Sequence, residues 1–206
     1  MAMVHRSKPA LAVVAGLGLM TAMPAGAQNY SDGYQFLQAV EKQDAAKAQD
    51  LLGKSSTVIN ARDLSDGHTA LHIAVKNHAY TWLSYLLGKG ADPNIADKKG
   101  VTPLMLASQA GFTDAVIALA QSGAKVDQPN DTGETPLILA VLAKKSPMVR
   151  VLLLAGADPD HADNSGRTAR DYAKASGVDS PVLAEIERHD KDKTAKKPKG
   201  TYGPKF

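Results

Sequence analysis

The chain has no cysteine among its 206 residues, which excludes disulfide staples, thiolate metal centres and a cysteine nucleophile. Aromatic residues make up only 5%, so any core is aliphatic, built from Leu, Val, Ile and Ala. No serine, histidine and aspartate fall into the pattern of a nucleophile with its base. No glycine-rich loop opens onto a Lys-Ser or Lys-Thr pair to cradle a phosphate. The turns around Asp158, Asp160 and Asp163 lack the ligand spacing and terminal Glu of a calcium loop, and read as turn formers. These absences point away from catalysis and from a resident cofactor. The hydrophobic share of 44% still fits a folded chain.

The N-terminal segment stands apart. Arg6 and Lys8 precede an uncharged apolar run, Ala10 to Met23, then Pro24 and the small-residue pattern Ala25-Gly26-Ala27. A basic start, a short apolar middle and an A-x-A end predict a secretory signal peptide over residues 1–27. The apolar run is short for a bilayer span of about 20 residues, and nothing later is long and apolar enough. The mature chain is expected in the periplasm, with plain secretion as the second reading, and without an integral membrane segment. Its charge is uneven: residues 28–187 hold 15 basic and 19 acidic side chains, a net of −4, while residues 188–206 hold seven and two, a net of +5. A mildly acidic body argues against a nucleic-acid partner. The Lys-rich end, 188–206, is predicted to be a disordered tail, with weak contact to anionic surfaces as the sharper alternative.

Against this background one phrase recurs. "GHTALHIA" at Gly67 returns as "GVTPLMLA" at Gly100, "GETPLILA" at Gly133 and "GRTARDYA" at Gly166. The intervals, 100−67, 133−100 and 166−133, each equal 33. Within each unit the residues predict two short helices. Thr102-Pro103 and Thr135-Pro136 are a capping hydroxyl followed by a first-turn proline, whose missing N–H costs nothing there. Gly111 suits the left-handed end of the first helix. The second helix carries apolar stripes: Trp82/Leu83 with Leu86/Leu87, Val116/Ile117 with Leu119/Ala120, and Met148/Val149 with Leu152/Leu153. Ser146-Pro147 reads as another cap and start. "GADPN", "GAKVD" and "GADPD" close the second helices at Gly90, Gly123 and Gly156. One such pair cannot hide its stripe, whereas stacked copies cover one another.

A 33-residue period with T-P-L-x-x-A openings and G-A-D-x-N endings resembles the ankyrin-repeat family. The resemblance runs from about Tyr34 to Ile186 and implies an all-α solenoid of helix pairs joined by β-hairpin fingers. About three full repeats lie between N- and C-terminal caps, in a domain over 28–187 with units near 30–60, 61–96, 97–129, 130–162 and 163–187. Tyr34 and Asp32 stand where Thr and Gly belong, as suits an N-terminal cap. Asn60 to Gly67 is one residue longer than Asn94 to Gly100, so the first finger is expected to be irregular. Arg170 and Glu185 occupy Leu positions and give a C-terminal cap its polar face. Only His72 fills the T-x-x-H position; Met105, Ile138 and Asp171 replace it, so the histidine's link between units is expected once.

The resemblance also implies where a partner binds: on the fingers and the exposed positions of the first helices. Carried onto this chain these are Asp66, His68, Lys76 and Asn77; Lys98, Lys99, Val101 and Gln109; Asp131, Thr132, Glu134 and Leu142; and Asn164 with Arg167. Their charges are mixed, which favours another protein over a polyanion. Serines such as Ser108, Ser122 and Ser146 read as capping or exposed. The expected function is a non-enzymatic, monomeric protein-binding module that protects, inhibits or assembles a partner. One alternative is an immunity protein that neutralises a secreted toxin. Another, of a different class, is a metal-binding protein or enzyme using His68, His72 and His78.

Overall fold

A computed structural model of the chain describes residues 25–196. Among them the helices are α1 Ala25–Glu41, α2 Ala45–Lys54, α3 Ala70–Lys76, α4 Tyr80–Gly88, α5 Pro103–Ala110, α6 Thr113–Gln121, α7 Pro136–Leu142, α8 Ser146–Leu154, α9 Ala169–Ala175 and α10 Pro181–Lys196, with a 3₁₀ turn at Ser56–Asn60. Odd-numbered helices pack on one another in order to form an inner layer, and α4, α6, α8 and α10 form the outer one. None of the described helices is long and apolar enough to cross a membrane. Residues 1–24 and 197–206, which hold most of the expected leader and the end of the expected tail, lie outside the described residues.

The repeated letters become repeated contacts. Thr102 and Thr135 hydroxyls accept from the N–H groups of Met105 and Ile138, both at 3.3 Å, and Pro103 and Pro136 are the first helical residues. Such caps are worth about 1 kcal/mol each. Leu71, Leu104 and Leu137, then Leu86, Leu119 and Leu152, all 33 apart, are no more than 1% exposed. Burying each stabilises the stack by about 2 kcal/mol. Ala74, Ala107, Ala140 and Ala173 are equally buried; their small side chains let paired helices approach.

Adjacent units are also tied by polar links. Asn94 Oδ1 accepts from Lys125 N–H at 2.8 Å and Asp127 Oδ1 from Asp158 N–H at 3.0 Å. His72 is fully buried. Its Nδ1 accepts from Thr69 N–H at 3.1 Å, so the ring proton sits on Nε2 and is donated to Val101 O of the next unit at 3.0 Å. Burial lowers its pKa to about 4, against the bond to Val101. Met105 Sδ and Asp171 Oδ2 reproduce only the local half of this arrangement, accepting from Thr102 and Thr168 N–H at 3.4 and 3.0 Å.

Several expectations change. No β-strand forms among the described residues; a single isolated bridge, Ala162 to Thr168, is all that remains of the hairpins. Each finger is closed by one pair of residues, too short for a ladder. Ser146 does not cap α8: it is the first helical residue, Lys145 is the cap, and no side-chain bond forms there. Ser108 is buried and donates to Leu104 O at 2.7 Å. Ile117 leaves the apolar stripe and is 39% exposed, because Ala115, Val116 and Leu119 already fill the buried face of α6. The boundary after Glu187 falls inside α10, which runs on to Lys196. Arg170 holds that end, with its Nε 2.7 Å from Asp160 and Nη1 2.7 Å from Asp190 of α10. The two carboxylates raise its pKa, and it lowers that of Asp160.

Candidate functional site

Four fingers stand at the N-terminal ends of α3, α5, α7 and α9. In the last three, one side chain organises each turn. Asp97 Oδ1 accepts from Lys99 and Val101 N–H at 2.8 and 2.9 Å. Asn130 does the same for Thr132 and Glu134 at 3.0 and 2.8 Å, and Asp163 for Ser165 and Arg167 at 2.9 and 3.0 Å. These are Asx turns, with the backbone closing from Asp97 N–H to Val101 O at 2.8 Å. The first finger is irregular as expected. It closes from Asp63 N–H to His68 O, one position further on (68−63 against 101−97), and its two captures are divided between Asp63 and Asp66. The extra residue leaves Leu64 65% exposed.

Single backbone bonds join neighbouring fingers. Lys98 N–H donates to Asp66 O at 2.8 Å, Asp131 N–H to Lys99 O at 3.2 Å and Asn164 N–H to Thr132 O at 3.1 Å. This stitching accounts for the glycine that opens each of the first three phrases. Gly133 has φ +82°, and a Cβ there would lie 2.5 Å from Asn164 N. The next finger occupies the space a side chain would need.

Among the residues assigned from the sequence, Lys76, Asn77, Lys98, Lys99, Gln109, Asp131, Thr132, Leu142, Asn164 and Arg167 are exposed. Asp66, His68, Val101 and Glu134 are half-buried and hold the fingers together. His68 lies 2.9 Å from Asp66 and 3.6 Å from Asp97, and stacks on His72 at 5.2 Å. Glu134 Oε2 accepts from Asn130 Nδ2 and lies 2.9 Å from Thr132 Oγ1. Asp163 is held low in pKa by the Tyr172 hydroxyl, then by Ser165, and Asp171 by Thr168. The finger carboxylates therefore serve their own turns.

The histidines do not converge on a metal. His72 uses both nitrogens, and His78 packs on Phe112 at 5.0 Å. No three described His, Asp or Glu side chains form a metal-binding group. Three exposed residues beside the surface escaped the sequence reading: Leu64, Lys144 and Lys145. Lys144 carried a legible signal, since it lies 33 positions after Gly111 and shares its left-handed backbone, with φ 54°.

Comparison with known proteins agrees with this architecture. A family model described as ankyrin repeats (3 copies) matches residues 36–130 and 81–163. The E3 ubiquitin-protein ligase XB3 of Oryza sativa subsp. japonica is 33% identical over 46% of this chain and 21% of its own length. The 2-5A-dependent ribonuclease of Homo sapiens is 36% identical over 39% of the chain and 11% of its own length. For potassium channel AKT3 of rice the values are 37%, 41% and 9%. The chain thus spans less than a quarter of each of these relatives, whose named activities differ while the shared stretch is repeat. Period, capped helix pairs and stitched fingers agree with the family match, and the chain belongs to the ankyrin-repeat family.

Proposed function

We propose that this chain is a non-enzymatic protein-binding module that works after export, in the periplasm, as a monomer that protects, inhibits or assembles one partner protein. Ankyrin repeats are generally protein–protein interaction modules, and the leader-like segment over residues 1–27 supports export. The observation that carries the binding reading is the row of fingers. Backbone bonds hold Lys98, Asp131 and Asn164 in register, so their exposed neighbours form a rigid surface continuous with Gln109 and Leu142. Rigid placement keeps the ordering cost of binding low. The test is affinity capture from periplasmic extract with residues 28–206 as bait, repeated with Lys99→Glu and Leu142→Asp. One partner retained by the native bait and lost by both variants is the expected result. Capture indifferent to both substitutions overturns the assignment of the surface.

A further inference from the structure

By residue type the finger surface is mixed in sign, yet its two signs are not equally available. The carboxylates of Asp66, Asp97, Glu134, Asp163 and Asp171 are engaged with groups of their own or a neighbouring finger. The cations have no carboxylate partner, although the Lys98 ammonium donates to Leu64 O of the first finger at 2.5 Å. Among the described residues Lys76, Lys98, Lys99, Lys144 and Lys145 form no ion pair, and all five are exposed. Asp92, Asp114, Asp158 and Asp179, also exposed, lie on the outer helices or the turns beside them. Asp131 is the exception among the finger acids, exposed and without an ion pair among the described residues, so the free charge of the fingers and of the C-terminal ends of α3 and α7 is mostly positive.

Apolar groups sit between those cations. Leu142 is 46% exposed, and Leu106 and Leu139 are half-buried. Leu106 also lines a hollow with His68, Val75, Lys76, His78 and Gln109. The backbone supplies a second observation. Lys144 and His78 adopt φ 54° and 51° where the equivalent residue after α5 is Gly111. A non-glycine residue there costs about 1–2 kcal/mol, and such strain clusters at binding sites.

We infer that this surface takes a peptide segment whose carboxylates flank apolar side chains, the carboxylates meeting Lys76 and Lys144 and the apolar groups covering Leu106 and Leu142. This deepens the protein-binding reading and rests on it. Lys76 and Lys144 belong to units two apart, about 20 Å at the usual interhelical spacing. That distance is about six residues of extended chain. A polyphosphate would neutralise the lysines but bring no apolar face to the leucines, so the combination favours an acidic peptide over a nucleic acid.

The probe is a fluorescein-labelled peptide of about fourteen residues with two Glu pairs about six residues apart and leucines between them, set by the spacing above. Its twin carries Lys for Glu, and a single-stranded oligonucleotide of similar length is the third probe. Anisotropy titration of the full mature chain is expected to show saturable binding of the acidic peptide alone, weakened about tenfold by added salt and by Lys76→Glu with Lys144→Glu. Lys144→Gly, which relaxes the backbone, is expected to weaken binding without unfolding the chain by circular dichroism. No saturation up to about 1 mM, equal binding of the Lys twin, tighter binding of the oligonucleotide, or indifference to both variants would each overturn the proposal. A partner captured from extract that ignores Lys76→Glu with Lys144→Glu leaves protein binding standing and removes only the acidic-segment assignment.

Discussion

The interior units and the last one carry the same phrase but use it differently. Gly133 has the following finger against it, with Asn164 N 2.5 Å from where a Cβ would be, whereas a Cβ on Gly166 meets nothing within 4 Å. Asn94 and Asp127 give their side-chain oxygens to the next unit's backbone. Asp160, one period later, is followed only by the terminal unit, which has no G-A-D ending to offer it a backbone N–H, and Arg170 takes its carboxylate while also gripping Asp190. His72 reaches forward to Val101 O, but Asp171 stays with its own Thr168. The motif is therefore two devices in one: a local part that starts a helix, and a forward part that has meaning only when another copy follows.

The most direct way to break that comparison is to place one methyl group in each setting. Gly133→Ala adds a Cβ against backbone at a left-handed residue, and should cost about 3 kcal/mol or more. Gly166→Ala meets only the left-handed penalty and should cost about 1 kcal/mol. Urea unfolding followed by circular dichroism reads both. Equal costs would mean that the fingers are not packed in register.

The forward link of His72 gives a difference that depends on pH. The unfolded histidine binds its proton near pH 6.5, the folded one only near 4. Between these values the unfolded chain holds more protons, so stability is complete above about pH 6.5 and falls as the pH drops, by about 3 kcal/mol in all by pH 4. His72→Met copies the arrangement at Met105, which keeps the local bond and lacks the forward one. This variant should lose about 1 kcal/mol at pH 7 and show a shallower decline on acidification. Urea midpoints at pH 7 and 4.5 compare the two, and parallel declines would remove His72 as the cause.

Arg170 marks the terminal solution. Arg170→Leu restores the side chain found at the equivalent interior positions, Leu104 and Leu137, but leaves Asp160 and Asp190 without their partner. Both carboxylates are more than a third exposed, so solvent tempers the loss to about 1 kcal/mol. Hydrogen exchange should speed up along the C-terminal half of α10 and not in α5 or α7. Faster exchange throughout would show that the clamp supports the whole stack.

The local devices were the legible part. A Thr-Pro pair states its cap and its first turn within three residues, and a fixed interval states that copies must stack. What depends on neighbours in space was not legible. Ser146-Pro147 looks like a start signal of the same kind, yet the left-handed Lys144 turns the chain so that Lys145 becomes the cap. α10 extends past Glu187 because Asp190, remote in sequence from Arg170, meets it in the fold. Asp66 and Glu134 were assigned to the surface with Lys98 and Lys99, and only the three-dimensional turns show that these two acids are held by side chains of the fingers while neither lysine has a carboxylate partner among the described residues.

The smallest expected effect concerns the interior alone. From α3 onward a residue just past each inner helix is left-handed: His78, Gly111, Lys144 and Gly177 have φ of 51°, 77°, 54° and 105°, as Gln43 past α1 has 56°. Glycine takes this backbone without strain and histidine and lysine do not, so His78→Gly and Lys144→Gly should each stabilise the chain by up to about 1 kcal/mol, less the flexibility glycine adds to the unfolded state. His78 also packs on Phe112 and should gain less than Lys144, whose side chain makes no ion pair among the described residues. Thermal melts of the two single variants and the pair order these effects. The sites are two units apart with no shared partner, so the gains should add. A loss of stability at Lys144 would mean that its side chain supports the stack, and the lysine would then be there for the fold and not for a ligand.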